Sequence, residues 1–135
     1  MPSRDPRHLH PETRILHARW EAACNEAGIE VLTTCTYRPQ AEQDALYAQG
    51  RTTPGRIVTW TRKSRHSEKI NDRPAASAWD FVVLVMGKAV WNAKHPHWTI
   101  AGEIAEAMGL TWGARFVSKR TGRPTPDYSH IQSKR

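Results

Sequence analysis

Apolar residues recur at helical spacing in three stretches of the chain and at strand-like spacing in two. Leu16, Trp20, Ala23 and Ala27 follow at steps of four, three and four, which predicts a helix over 12–27, and Gly28 stands where a left-handed cap ends it. Ile29, Val31, Thr33, Cys35 and Tyr37 then alternate with Glu30, Leu32, Thr34 and Thr36, a β-branched period-two run that predicts a strand. Pro39 sits where a helix can begin, and Ala41, Ala45, Leu46 and Ala48 run to Gly50. Residues 39–49 are thus a second short helix, and Tyr37–Arg38 the corner before it.

The run AWDFVVLVM over 78–86 is the strongest strand pattern, and Gly87–Lys88 followed by Ala89-Val90-Trp91 turns it into a hairpin. Trp98, Ile100, Ala101, Ile104, Ala105 and Met108 predict a third helix over 97–108, closed by Gly109. Residues 110–113 and 128–132 read as short strands flanking a basic loop, SKRTGRPTP. From 51 to 74 no period holds, and a polar stretch of that length in a small domain is usually functional. The expected architecture is α+β: a small antiparallel sheet with helices packed mainly on one side, in one domain spanning 1–135.

Composition narrows the class. Hydrophobic residues make up 39% and charged residues 24%, which excludes a low-complexity disordered chain. The longest strictly apolar run, Phe81–Met86, is far short of the about 20 residues that span a bilayer. The segment MPSRDPRHLHPE holds no apolar core of a secretory signal. Twenty Lys and Arg against thirteen Asp and Glu leave a net charge of +7, which favours an anionic partner: nucleic acid, anionic lipid or an envelope polymer. Cys24 and Cys35 lack the paired spacing of a zinc knuckle and read as reduced, buried small residues.

Hydrolytic zinc chemistry needs about three ligands of His, Asp, Glu or Cys type and an open position for water. His66 in the polar loop, Asp80 at the head of the apolar strand, and His130 beside Asp127 are candidates. Each also has a structural reading. His66 alone fits a solvated loop histidine, His130 a partly buried strand residue, and Asp127 a turn residue after Pro126. Asp80 is harder to dismiss, because a carboxylate facing a core must be hydrogen-bonded, paired or metal-bound, although capping of the strand end would also serve.

In order along the chain stand T36-Y37-R38, E42-Q43, L46-Y47-A48-Q49-G50-R51, T53-P54-G55-R56-I57-V58-T59, S64-x-H66, A78-W79-D80-F81, W112-G113 and D127-Y128-S129-H130. This succession, over about 28–132, resembles the zinc metallopeptidases related to D-alanyl-D-alanine carboxypeptidases, and within them the phage endolysins that act as L-alanyl-D-glutamate endopeptidases. The resemblance implies that His66, Asp80 and His130 bind Zn2+, that Asp127 is the general base, and that Arg38 stabilises the substrate or its developing oxyanion. Two neutral imidazoles and one carboxylate leave such an ion net positive, able to acidify a water and polarise a peptide carbonyl. Because strand side chains alternate, Asp127 must lie in the bend before the strand to act beside His130.

The spacing departs from the family in one place. The family run S-x-H-x-x-G-x-A-x-D puts His and Asp seven apart, whereas His66 and Asp80 are fourteen apart (66 to 80), so about seven residues are inserted within SEKINDRPAAS, and Ala76 stands at the family glycine. Asp72 is therefore a rival ligand. Asp80 is preferred because it leads into a rigid apolar strand.

His95 and His97 form an HPH motif with no obvious third ligand. Trp79, Trp91, Trp98 and Trp112 are expected in the core, and Trp60, in the polar loop, is placed to line a glycopeptide groove. The resemblance implies a monomeric phage endolysin that acts on peptidoglycan stem peptides. It would be held in the host cytoplasm and reach the wall after a partner permeabilises the membrane. A D,D-carboxypeptidase or cross-link endopeptidase of the same fold is the alternative enzyme, and a basic nucleic-acid-binding module, suggested by TRKSRH and SKRTGR, the alternative of another class.

Overall fold

The computed structural model describes residues 2–134. Helix α1 (Pro11–Glu26) is opened by His10, whose side chain accepts from the Glu12 amide, and ends near Gly28, at φ 77°. Strand β1 (Glu30–Cys35) leads through Thr36–Pro39 to helix α2 (Gln40–Ala48). A single 3-10 turn, Arg65–Ser67, carries His66, and then come β2 (Lys69–Ile70), β3 (Arg73–Pro74), β4 (Ala78–Val85) and β5 (Lys88–Val90). Helix α3 (Pro96–Ala107), β6 (Thr111–Trp112) and β7 (His130–Gln132) complete the order. The expected elements are present, each within a few residues of its expected ends.

The main sheet runs β1-β4-β7-β6, all neighbours antiparallel, with β5 also paired to β4. Alternation along β4 divides the molecule. Trp79, Phe81 and Val83 point to the side of α1 and α3, where Trp20 meets Phe81 at 5.0 Å and Trp79 at 5.5 Å between ring centroids, and Trp98 meets Phe81 at 5.0 Å. The buried indole of Trp20 donates to the Ala101 carbonyl at 3.0 Å and so ties α1 to α3. Asp80 points to the opposite face, where the candidate site lies.

Two expectations are corrected. Trp91 is 65% exposed rather than in the core, because β5 ends at Val90; the Trp98 ring lies 6.4 Å away. The regular alternation expected over 29–37 breaks as well. Thr33 pairs with Phe81 and Cys35 with Asp80, so Thr34 is an extra residue, a β-bulge. The bulge leaves Thr33 on the helix side, bonded to the buried His17 (Nε2 to Oγ1, 2.8 Å), and turns Cys35 to the face of Asp80.

The segment between His66 and Asp80 folds into the β2–β3 hairpin. Asn71 and Asp72 at its tip have φ of 49° and 65°, the twist of a two-residue hairpin turn. The N-terminal segment, outside the stretch that carries the resemblance, is joined to the site: the Ser3 amide donates to the Tyr37 carbonyl, the Thr36 amide donates to the Ser3 carbonyl, and Leu9 bridges to Ala76. Among the described residues no helix is long and apolar enough to cross a membrane.

Candidate metal centre

The register of β4 against β7 sets Asp80 directly opposite His130, on the face away from the aromatic core. His66 reaches the same point from its own turn. Ser64 caps that turn by accepting from the His66 amide at 3.1 Å, and the end of β1 clamps it, since the Arg38 amide donates to the His66 carbonyl at 2.8 Å. This is the structural content of S-x-H and T-Y-R: each block holds the other.

The ring nitrogens have defined duties. His66 Nδ1 lies 2.8 Å from the Thr36 carbonyl and His130 Nε2 lies 2.8 Å from Gln132 Oε1, so in the neutral rings these nitrogens carry the hydrogens and donate. His66 Nε2 and His130 Nδ1 are then left as lone pairs, facing each other at 3.3 Å and lying 3.3 and 3.5 Å from Asp80 Oδ1. That oxygen is buried and has no hydrogen bond. Three electron-rich atoms around one point, two of them on imidazoles whose other nitrogen is anchored, form a donor set that fits a divalent cation. Without a cation a proton must take its place. Burial opposes the charged form of His66, but the Asp80 carboxylate outweighs it and raises the ring's pKa; burial likewise opposes ionisation of Asp80, and the two imidazoles hold its carboxyl below the usual carboxylate range.

Asp127 lies in the turn before β7, as the alternation argument required, and its carboxylate falls within 4.8 Å of the ligand atoms of Asp80 and His130. It is exposed and accepts from Ser129 Oγ at 3.1 Å. The Trp112-Gly113 pair moulds this turn: the Trp112 indole donates to the Tyr128 carbonyl at 2.8 Å, and the Gly113 carbonyl accepts from the Asp127 amide at 2.8 Å. A Cβ on Gly113 would run into the Asp127 carbonyl and His130 Cβ.

Arg38 approaches Asp80 Oδ2 at 3.6 Å. It is held by Gln43, whose Oε1 accepts from Nη1 at 2.9 Å while its Nε2 donates to the Thr61 carbonyl at 2.7 Å. Asp72 is elsewhere, on the hairpin tip, its side chain 96% exposed and 3.7 Å from Lys69. His95 caps α3 by accepting from the His97 amide at 3.2 Å, a structural role.

Sequence reasoning gave no role at the site to three neighbours. Gln132 anchors His130, and only its place two residues along a strand hints at a shared face. Gln43 holds Arg38 from within α2. Cys35 lies 3.7 Å from His66 Nδ1 and 3.8 Å from Arg38 Nη2, and its sulfur, His66 and Asp80 together form a second group of ligand atoms within 4.8 Å of one another. Both cysteines are free and buried.

No family model matches the chain. It is 31% identical to the peptidoglycan L-alanyl-D-glutamate endopeptidase CwlK of Bacillus subtilis (strain 168), over 94% of this chain and 74% of that protein. The chain belongs to this family of peptidoglycan peptidases. The fold is shared with the L-Ala D-Glu endopeptidase ChiX of Serratia marcescens (TM-score 0.63, 17% identity, 99% of this chain and 89% of that one). It is shared also with the LD-carboxypeptidase LdcB (TM-score 0.67, 14% identity, 93% of this chain and 58% of that one).

Proposed function

We propose that the protein is a zinc-dependent peptidoglycan peptidase that hydrolyses the stem peptide at the L-alanyl-D-glutamate bond. One observation carries the chemistry: the lone pairs of His66 Nε2 and His130 Nδ1 converge with the unbonded Asp80 Oδ1. The kinship with CwlK supports the choice of bond.

His66, Asp80 and His130 would hold the ion, with Thr36 and Gln132 fixing the two rings from behind. Zinc bound there would supply Lewis acidity toward a peptide carbonyl and a nucleophilic water at neutral pH. Asp127 takes the proton from the attacking water and delivers it to the departing amine nitrogen of D-glutamate. Its exposed position suits a base that must meet both water and substrate. Arg38, restrained by Gln43, presents a guanidinium to the substrate's carboxylate or to the oxyanion that develops. The +7 net charge favours dwelling on an anionic envelope.

The physiological setting we propose is host lysis by a phage endolysin acting as a monomer, in keeping with the order of motifs. Digestion of purified peptidoglycan, with mass spectrometry of the products, tests the activity. New amino groups on D-glutamate, lost on chelation and restored by zinc, are expected; loss of terminal D-alanine alone or severed cross-links alone would assign a different bond. Co-expression with a membrane-permeabilising protein tests the setting, with lysis expected only when both are present.

A further inference from the structure

The loop between α2 and the His66 turn carries an aromatic and cationic cluster that the mechanism above does not use. Trp60 is 70% exposed. Its ring is backed by the Arg51 guanidinium, 5.8 Å from the Trp60 centroid and 3.9 Å from that of Tyr47, and the Arg62 guanidinium lies 4.7 Å from the Tyr47 centroid. Arg51 is itself fixed, donating to the carbonyls of Tyr47 at 2.7 Å and Thr59 at 3.1 Å. The arrangement leaves an exposed indole beside a fixed guanidinium. Arg62 adds a guanidinium with no protein acceptor among the described residues.

This cluster is linked through Gln43 to Arg38, beside the candidate metal centre. Gln43 is fully buried, bonds Thr59 Oγ1 at 3.3 Å and the Thr61 carbonyl at 2.7 Å, the residues on either side of Trp60, and with its other end holds Arg38 beside Asp80. The position of the bond says what belongs there. In peptidoglycan, L-alanine is amide-linked to the lactyl group of N-acetylmuramic acid, so an enzyme cutting after that alanine has a sugar ring one residue from the scissile carbonyl. A hexopyranose offers an apolar C–H face and a rim of hydroxyl and acetamido oxygens. An exposed indole flanked by a guanidinium matches both.

We propose that Trp60 is the stacking platform for the glycan sugar next to the scissile bond, with Arg62 donating to its polar rim. This rests on the L-alanyl-D-glutamate reading, since a peptidase working at the far end of the stem would have no sugar within reach.

Two measurements test it on the full chain. The indole N–H resonance of Trp60, identified by its loss in Trp60→Phe, is followed during titration with chitotetraose, which the enzyme cannot hydrolyse, and separately with inorganic polyphosphate. A shift with chitotetraose that persists at raised salt is expected. Response to polyphosphate alone would make the cluster an anion site and overturn the proposal, as would no response to either.

In parallel, kcat/KM is compared for an L-Ala-D-Glu peptide with and without an N-acetylmuramyl group. The wild type is expected to prefer the muramyl substrate by about 3- to 10-fold, the size of one stacking contact, with the preference lost in Trp60→Ala, partly kept in Trp60→Phe, and the bare peptide turned over equally by all three. An equal fall on both substrates, or an unchanged preference, would overturn it. Product analysis keeps the readings apart: cleavage at another bond removes the L-alanyl-D-glutamate assignment, while the resonance titration still decides whether Trp60 binds sugar.

Discussion

His66 Nε2 and His130 Nδ1 stand 3.3 Å apart with their lone pairs directed at the same point, each ring anchored through its opposite nitrogen. Residues 64 positions apart in sequence meet this way because β7 pairs with β4 and the His66 turn is bonded to the end of β1. Two imidazoles so placed repel unless a proton or a cation lies between them and Asp80, which makes the centre a competition between the two.

Zinc binding should therefore release protons, because the raised pKa of His66 leaves it protonated in the metal-free protein, and apparent affinity should fall as pH falls. Calorimetry in buffers of different ionisation enthalpy reads this directly. Gln132→Leu, which deprives His130 Nε2–H of its acceptor, should weaken zinc by about 10- to 100-fold with the fold intact. Unchanged affinity would deny Gln132 an anchoring role.

Asp127 and His130 should separate chemistry from binding. His130→Ala removes a ligand, so zinc and hydrolysis fall together. Asp127→Asn keeps shape but cannot accept the proton, so zinc stays while turnover drops by about 10² to 10⁴. Turnover of the zinc-loaded Asn variant within a few fold of wild type would reduce Asp127 to a turn residue.

The two aspartates beside the insertion make a second contrast. Asp80→Ala should lose tight zinc, whereas Asp72→Ala, at an exposed hairpin tip, should keep both metal and activity. Zinc titration of the two variants checks this, and the opposite pattern would make the hairpin the ligand donor.

Gly113→Ala tests the mould beneath the Asp127 turn. A methyl there meets the Asp127 carbonyl and His130 Cβ, so the turn must shift. Destabilisation of about 1–3 kcal/mol is expected from such overpacking, along with a loss of turnover larger than the loss of zinc. Thermal melts beside metal content and kinetics distinguish this from simple unfolding.

Stability should also depend on His17. Burial pushes its pKa from 6.5 down to about 4, so the unfolded chain binds the proton more tightly and stability is lost as pH falls from about 6.5 towards 4. The full effect of a shift that size is about 3 kcal/mol. Denaturant melts at pH 7 and pH 5 should show a steeper loss for wild type than for His17→Gln, and parallel losses would contradict a neutral buried His17.

Local chemistry wrote the elements and the motif blocks into the sequence. Helical spacing, Gly28 and Gly109 as stops, the apolar run of β4 and the S-x-H and D-x-x-H blocks are short-range signals that neighbours along the chain enforce on one another. What faces what was decided by pairing between distant segments. The bulge at Thr34 exists only because β1 must register against β4, and it alone brings Cys35 to the face of Asp80 against the alternation of its own strand. Gln43 stands in a motif block without a role, and Gln132 reads as an ordinary polar residue, until the fold sets one against Arg38 and the other against His130. Trp91 carries the same residue type as Trp98, and differs because β5 stops one residue short of it. The sequence alone determined which residues have the chemistry to bind a cation; the tertiary structure decided which of them share a face, since one residue of register moves a strand side chain to the opposite side of the sheet.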